Sequence, residues 1–493
     1  MSVTEPKDSR PTHLKADAIG SLGAIALGVA MMGPALGIYA NLGPISAGAG
    51  KVSPAVFLIA LLLTLPSALS YAFISQEIPS AGSAYTWLSK AINPFVGTWM
   101  GLLLIATYFI AVLLQPILFG LFFNEVLAIF LPAKIGYGTW LVGVFLSTII
   151  VALLAYPGIE MSTKGSMAVT VLGLAVVLGL AGTVLAISFG RGTLEVSPFN
   201  PAASLGGAQG FFRGLVFALL SFVGFSVITT AAEETHSPRS IIPRVVVWAC
   251  LLLGLTWTFC AWGLSLALPA AAWADYVSKG INPVSIVARQ YWRGGAIIVT
   301  LTALAAVLGV YLASAVGYAR VAYAMGRDGT LPAVLGKLHP KYKVPWNAQH
   351  LVFIVALAVA VIWGRWLGLY GSYEWWGSSL VFFAMVSNAV VNIGCTVFFF
   401  RFRREVFHWW RHGVLPGVGI LSNFLPLYYC FGPDLWNAGW EKGQSIVILS
   451  FGLVAVSALY TIGLAIFRPE VLRRVATEGD HVVSENAPLS SAR

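Results

Sequence analysis

Long stretches without a single Asp, Glu, Lys or Arg dominate this chain, and the charged residues gather between them. The uncharged windows fall at 18–50, 52–76, 91–124, 135–159, 165–190, 214–232, 245–274, 294–319, 344–364, 375–400, 412–433 and 443–467. A helix needs about 20 mostly apolar residues to cross the hydrocarbon core of a bilayer. Inside that core the backbone must satisfy its own hydrogen bonds, which favours helices. The pattern therefore predicts an all-α polytopic membrane protein with twelve spanning helices and the lipid bilayer as its surroundings.

Two of the twelve runs depart from the Leu/Val/Ala/Phe-rich norm. The first carries Gly33-Pro34 at its centre, with Gly28 and Gly37 close by. Proline removes a backbone donor and clashes with the preceding turn, and glycine weakens a helix. The sixth holds Gly224 between Phe222 and Phe225, followed by Ser226, Thr229 and Thr230. Breaks in the first and sixth helices are what two five-helix repeats of inverted topology produce, each opening on an interrupted helix. The expected division is a tail over 1–17, repeats over 18–190 and 213–400 separated by an outer loop at 191–212, two further helices over 401–468, and a tail over 469–493. Unwound backbone at mid-membrane offers N–H groups to a carboxylate and C=O groups to an ammonium. The breaks around Gly33-Pro34 and Gly224 are thus the candidate central site, and an amino acid zwitterion suits them.

Composition supports the membrane reading. Hydrophobic residues make up 58% of the 493 and charged residues 10%, with a mean hydropathy of +0.83; soluble domains carry roughly 25% charged residues. The net charge of +10 is dispersed among the loops rather than gathered on one basic surface, so no nucleic-acid partner is expected. With the N-terminus inside, twenty of the 29 Lys and Arg residues fall in inner segments, which places both termini in the cytoplasm of a plasma-membrane protein. No secretory signal is expected ahead of the first run. Cys250, Cys260, Cys395 and Cys430 lie within apolar stretches without metal-ligand spacing, and they read as small hydrophobes. Neither a metal nor a cofactor is expected.

Several motifs resemble the amino acid/polyamine/organocation (APC) transporter family. These are IPSAGSAYTWLSKAINPFVGTW (78–99), FVGFSVITTAAEETHSPRSIIPR (222–244) and YAMGRDGTLP (323–332) with the HPKYKVP that follows. The resemblance covers most of the chain, less clearly its last two helices. It implies the five-plus-five inverted repeat and a substrate site between the unwound parts of helices one and six, which here correspond to Met32, Gly33, Pro34, Ala35 and Leu36 and to Phe222, Val223, Gly224 and Ser226. Phe222 matches the aromatic that helps to occlude substrate, and the third run supplies a wall around Thr107, Tyr108 and Val112.

Two departures bear on the substrate. Family members that take polyamines or basic substrates often carry an acid after G-F in the sixth helix, where this chain has Ser226. The acid that some carry in the third helix corresponds to Thr107. An unpaired dication at mid-membrane costs several kcal/mol, so the expected substrate is a neutral or modestly polar amino acid. Some proton-coupled relatives have a lysine in the fifth helix where this chain has Gly173. Ser314 in the eighth run is flanked by Ala313 and Ala315 rather than by a second hydroxyl. Sodium-independent transport, by proton symport or exchange, follows as the expectation, with H+ as a possible co-transported partner.

The remaining polar residues invite competing readings. Glu233 and Glu234 are a proton relay or, beside His236, Arg239 and Arg244, a gating salt-bridge cluster; Glu77 reads likewise. Glu125 is expected at the outer interface. Asn388 and Asn392, four apart and so on one helix face, either line the pathway or bond a neighbouring helix. Trp375-Trp376 and Trp409-Trp410 read as interfacial anchors. No P-loop, metal-ligand spacing or charge-paired nucleophile supports an enzyme. A secondary active transporter is the reading. Its rivals are a polyamine or cationic amino acid transporter of the same fold, a non-transporting sensor, and a proton-translocating subunit.

Overall fold

The computed structural model describes residues 29–30, 32–131, 135–155, 159–432 and 441–475. Within these the chain is built from helices joined by turns. We number the main ones α1 (Leu42–Ala49), α2 (Ser53–Glu77), α3 (Ala84–Ala91), α4 (Pro94–Phe130), α5 (Tyr137–Ala155), α6 (Ile159–Gly190), α7 (Gly207–Phe222), α8 (Pro238–Ser265), α9 (Ala270–Ser278), α10 (Pro283–Trp292), α11 (Ala296–Arg327), α12 (Trp346–Trp366), α13 (Leu369–Phe402), α14 (Leu415–Phe431) and α15 (Glu441–Phe467).

Eleven spans among the described residues are long and apolar enough to cross a membrane. The first of the twelve uncharged runs lies partly outside the described residues. Its second half, a helical turn at Leu36–Tyr39 followed by α1, joins α2 in a single apolar span, Leu36–Glu77, with a turn at Gly50. Local chemistry sets several helix starts. Pro94 and Pro283 occupy first positions, where their missing N–H costs nothing. The Asn93 and Asn282 side chains accept from the N–H groups of Val96 and Val284, satisfying otherwise orphaned donors.

Burial sorts the helices. The most apolar window of Gly207–Glu233 is 94% buried and that of Pro94–Phe130 is 78% buried, against 22% for Gly443–Phe467. The outer helices instead present Leu153, Ile354, Leu459 and Phe467 outward, as lipid-facing surfaces do, since lipid tails solvate apolar side chains as well as a protein core does. The sixth run and α4 therefore form the centre of the bundle.

One expectation about the aromatics needs correction. Trp375 and Trp376 are buried, packed against Trp363 with ring centroids 5.8 and 5.2 Å away. The uncharged window begins after Glu374, but α13 begins at Leu369, so the pair lies more than a turn inside the helix. Trp409 and Trp410 are exposed.

Candidate functional site

Both interrupted runs are unwound where Gly/Pro chemistry disfavours helix. In the first, Met32 to Ala35 form turns, with Gly33 at φ +57°. A Cβ at Gly33 would stand 2.7 Å from Val310 Cγ2. In the sixth, α7 ends at Phe222, Val223 is extended, and Gly224 takes φ +130°. That conformation is open to glycine and strained for other residues. Beyond it Phe225–Glu234 winds as a 3-10 helix.

The two breaks face a common cavity of about 60 Å³. Met32, Gly33, Leu36, Tyr108, Val223 and Gly224 contribute to its wall, joined by Asn41, Ala111, Gln115, Ser221, Ser314 and Tyr373. Among the described residues no Asp, Glu, Lys or Arg lines it. Tyr108, Ala111 and Gln115 recur at three- and four-residue spacing and so share one face of α4; Val112, expected there, is absent from the lining. Asn41 ties three elements together: its amide donates to Ser221 Oγ at 2.7 Å, and its carbonyl accepts from the Tyr373 hydroxyl.

Trp257 on α8 connects the breaks from behind. Its indole N–H donates to the Pro34 carbonyl at 2.7 Å, and its ring meets Phe222 edge-on at 5.0 Å. Ala35 is buried towards α6, where a Cβ at Gly173 would stand 3.0 Å from the Ala35 Cβ. Pro34 and Ala35 thus brace the break rather than line the cavity.

Across Val223 and Gly224 lies a second cavity, of about 30 Å³. Thr107, Phe222 and Ser226 line it with Tyr71, Asn388 and Asn423. Tyr108 donates to Ser226 Oγ at 3.4 Å. The Tyr71 hydroxyl is buried without a hydrogen-bond partner among the described residues. Asn388 thus faces a cavity, whereas Asn392 donates to Ser67 Oγ at 2.9 Å and to the Asn388 carbonyl. The two amides divide the roles between them.

The two ends of the bundle differ. At one, a cavity of about 430 Å³ adjoins the central one, sharing Ala40, Leu118 and Tyr373 in its wall. Its rim residues Gly136, Gly280, Ile281 and Arg289 are exposed. Glu125 faces this cavity instead of the lipid interface expected for it, and Ser285 Oγ donates to its carboxylate at 2.9 Å. The reason is Ser285 on α10, whose hydroxyl reaches the carboxylate from 160 residues along the chain.

At the other end, side chains from distant segments are bonded to one another. Tyr85 donates to Asp328 at 2.6 Å, Ser83 and Thr229 hydroxyls meet at 2.6 Å, and the Ala81 N–H donates to Glu233 at 2.9 Å. Arg403 pairs with Glu77. Glu233 is thus part of this bonded cluster and lines none of the three cavities. Glu234 ends the same 3-10 helix, and its side chain lies outside the described residues. Asn41, Gln115, Tyr373 and Trp257 were missed by sequence reasoning. Asn41 and Gln115 had a readable signal, as polar side chains inside uncharged runs, whereas Trp257 had none, because an indole in an apolar run also suits plain packing.

A family model described as amino acid permease matches residues 19–476. The low-affinity putrescine importer PlaP of Escherichia coli (strain K12) is 29% identical over 345 residues, covering 69% of this chain and 73% of the relative. The branched-chain amino acid permease BcaP of Bacillus subtilis (strain 168) is 28% identical over 347 residues, covering 67% and 71%. The methylthioribose transporter of the same organism is 24% identical over 337 residues, covering 66% and 70%.

Proposed function

Because the chain belongs to the amino acid permease family, we propose that this integral multi-pass transporter moves neutral or modestly polar amino acids across the plasma membrane by alternating access. The observation that carries this reading is the central cavity between the Gly33 and Gly224 breaks, which among the described residues has polar groups but no charged side chain in its wall. A zwitterion satisfies both charges on backbone groups freed at the breaks, C=O for its ammonium and N–H for its carboxylate. A polyamine brings two positive charges and finds no carboxylate there. Desolvating an ion without a counter-charge costs several kcal/mol. The putrescine importer among the relatives keeps the polyamine alternative specific enough to test.

In this reading the repeats span 18–190 and 213–400, and both termini are cytoplasmic. The Glu125 end then opens outward and the Tyr85–Asp328 end is the closed inner gate. Phe222, held by Trp257, is the residue that covers bound substrate. Gly173 packs near Ala35 and supplies no ammonium group, and Ser314 reaches the central cavity without a neighbouring hydroxyl. These features favour transport without sodium, by proton symport or exchange.

The test is uptake into proteoliposomes of each of the twenty amino acids and of putrescine, with imposed proton and sodium gradients. Uptake of neutral amino acids without sodium is expected. Putrescine uptake without any neutral amino acid uptake overturns the substrate assignment, and strict sodium dependence overturns the coupling. Ligand binding without uptake favours the sensor.

A further inference from the structure

The outer cavity of about 430 Å³ has a charge pattern that the central one lacks. Glu125 and Arg289 both line it, and among the described residues they are the charged side chains in its wall. Ser285 and Arg289 lie four residues apart on α10 and so share a face. Ser285 is bonded to Glu125, so the same helix face that holds the carboxylate also carries the guanidinium. Glu125 and Arg289 nevertheless form no ion pair with each other among the described residues. One carboxylate oxygen is occupied by a neutral hydroxyl, and among the described residues no carboxylate pairs with the guanidinium. Leu118, Phe122 and Leu369 give the wall an apolar part, beside the polar Asn124, Asn282 and Tyr370.

An acid and a base that border one cavity without a direct ion pair between them make a complementary field for a molecule with both charges. We infer that this cavity is an outer binding site for zwitterionic α-amino acids, with the ammonium against Glu125, the carboxylate against Arg289 and the side chain on the apolar wall. This rests on the amino acid transport proposed above and adds a station to it. Low-dielectric walls strengthen both attractions relative to bulk water and raise the local substrate concentration. The shared wall at Ala40, Leu118 and Tyr373 leads from here to the uncharged central site. The charges of the zwitterion are thus met first by side chains and only afterwards by backbone.

The experiment measures uptake of radiolabelled L-leucine and putrescine into proteoliposomes holding the full chain, its Glu125→Gln and Arg289→Gln variants, and Glu125→Asp. Monodispersity and thermal midpoint serve as folding controls. Each glutamine variant is expected to raise the KM for L-leucine about tenfold with a smaller change in maximal rate, and Glu125→Asp to recover most of that loss. KM unchanged in both glutamine variants overturns the site. A rise in Glu125→Gln alone, with Arg289→Gln improving putrescine uptake, also overturns it, because the cavity then selects amines rather than zwitterions. Absence of amino acid uptake by the unmodified chain overturns the transport reading and this site together, whereas uptake that ignores both variants sinks the outer site alone.

Discussion

The indole N–H of Trp257 donates to the carbonyl of Pro34 at 2.7 Å, while the same ring packs edge-on against Phe222. One side chain on α8 therefore touches both interrupted segments. The proline break frees carbonyls from the helical ladder, and the indole satisfies one of them. Replacing Trp257 by Phe keeps a ring against Phe222 but leaves the buried Pro34 carbonyl unpaired, at a cost of about 1–3 kcal/mol. Expected are a lower thermal midpoint and uptake reduced about tenfold. Unchanged uptake would mean that the indole is mere packing.

Gly224 provides a sharper test of the second break. Its φ of +130° strains any residue with a Cβ by about 1–3 kcal/mol, and relief is available by rewinding the helix across the cavity. Gly224→Ala should therefore reduce uptake below about a tenth of normal while the protein stays monodisperse, since a rewound helix keeps its hydrogen bonds. The bulkier Gly224→Leu should abolish transport. Near-normal uptake by either variant removes the sixth-run break from the site.

The breaks were legible because proline and glycine act through local backbone chemistry that a sequence displays directly. The spans were legible because the bilayer imposes one length and one polarity on every crossing. Tertiary partners were harder. Glu125 read as interfacial from its place at the end of an apolar run, yet α10, far along the chain, turns that position into the wall of a cavity. Trp375 and Trp376 read as anchors because Glu374 cut the run short, whereas α13 begins before it. Asn41 was visible as a polar residue in an apolar run, but its bonds to Ser221 and Tyr373 span 180 and 332 residues of sequence, and no local pattern encodes them.

At the closed end, the Tyr85 hydroxyl donates to the Asp328 carboxylate at 2.6 Å. A hydrogen bond to a charged group contributes roughly 1.5–3 kcal/mol, enough to shift a two-state equilibrium by about 10- to 150-fold. Tyr85→Phe should therefore favour opening at this end. Hydrogen exchange of the segments 78–84 and 323–329 should accelerate, with little change in the segment around Glu125. Equal exchange in both proteins argues that the bond does not gate.

A pH effect is expected in the loop that packs beside α1. The Glu195 carboxylate accepts from Ser197 Oγ at 2.7 Å and from Lys51 Nζ at 3.0 Å. The hydroxyl first, and the ammonium with it, hold its pKa below the usual carboxylate range. A pKa lowered by folding stabilises the folded state above the unfolded value of about 4.3, and that stabilisation is lost as pH falls through the folded value. Both side chains are about 40% exposed, so the contribution stays below about 1 kcal/mol. The thermal midpoint of Glu195→Gln should lie slightly below that of the unmodified chain at neutral pH, and the gap should close as acidification protonates the Glu195 carboxylate below the usual carboxylate range. A gap that widens on acidification contradicts the assignment.

Ser226 tests the substrate assignment most directly. It lines the smaller cavity with Tyr71 and Thr107, and Tyr108 reaches it at 3.4 Å. An aspartate here would find the Tyr108 hydroxyl and the unpartnered Tyr71 hydroxyl as donors, so its carboxylate would be satisfied on one side and free to face a cation on the other. Charge placed there disfavours the carboxylate of a zwitterion and favours an amine. Ser226→Asp should therefore raise the KM for L-leucine at least about tenfold, which corresponds to about 1.4 kcal/mol, and should bring putrescine uptake above the level of the unmodified chain. Monodispersity and a thermal midpoint near the original would show that the carboxylate is tolerated. If such a folded variant handles both compounds as the unmodified chain does, Ser226 faces no substrate, and its neutrality carries no information about what is transported.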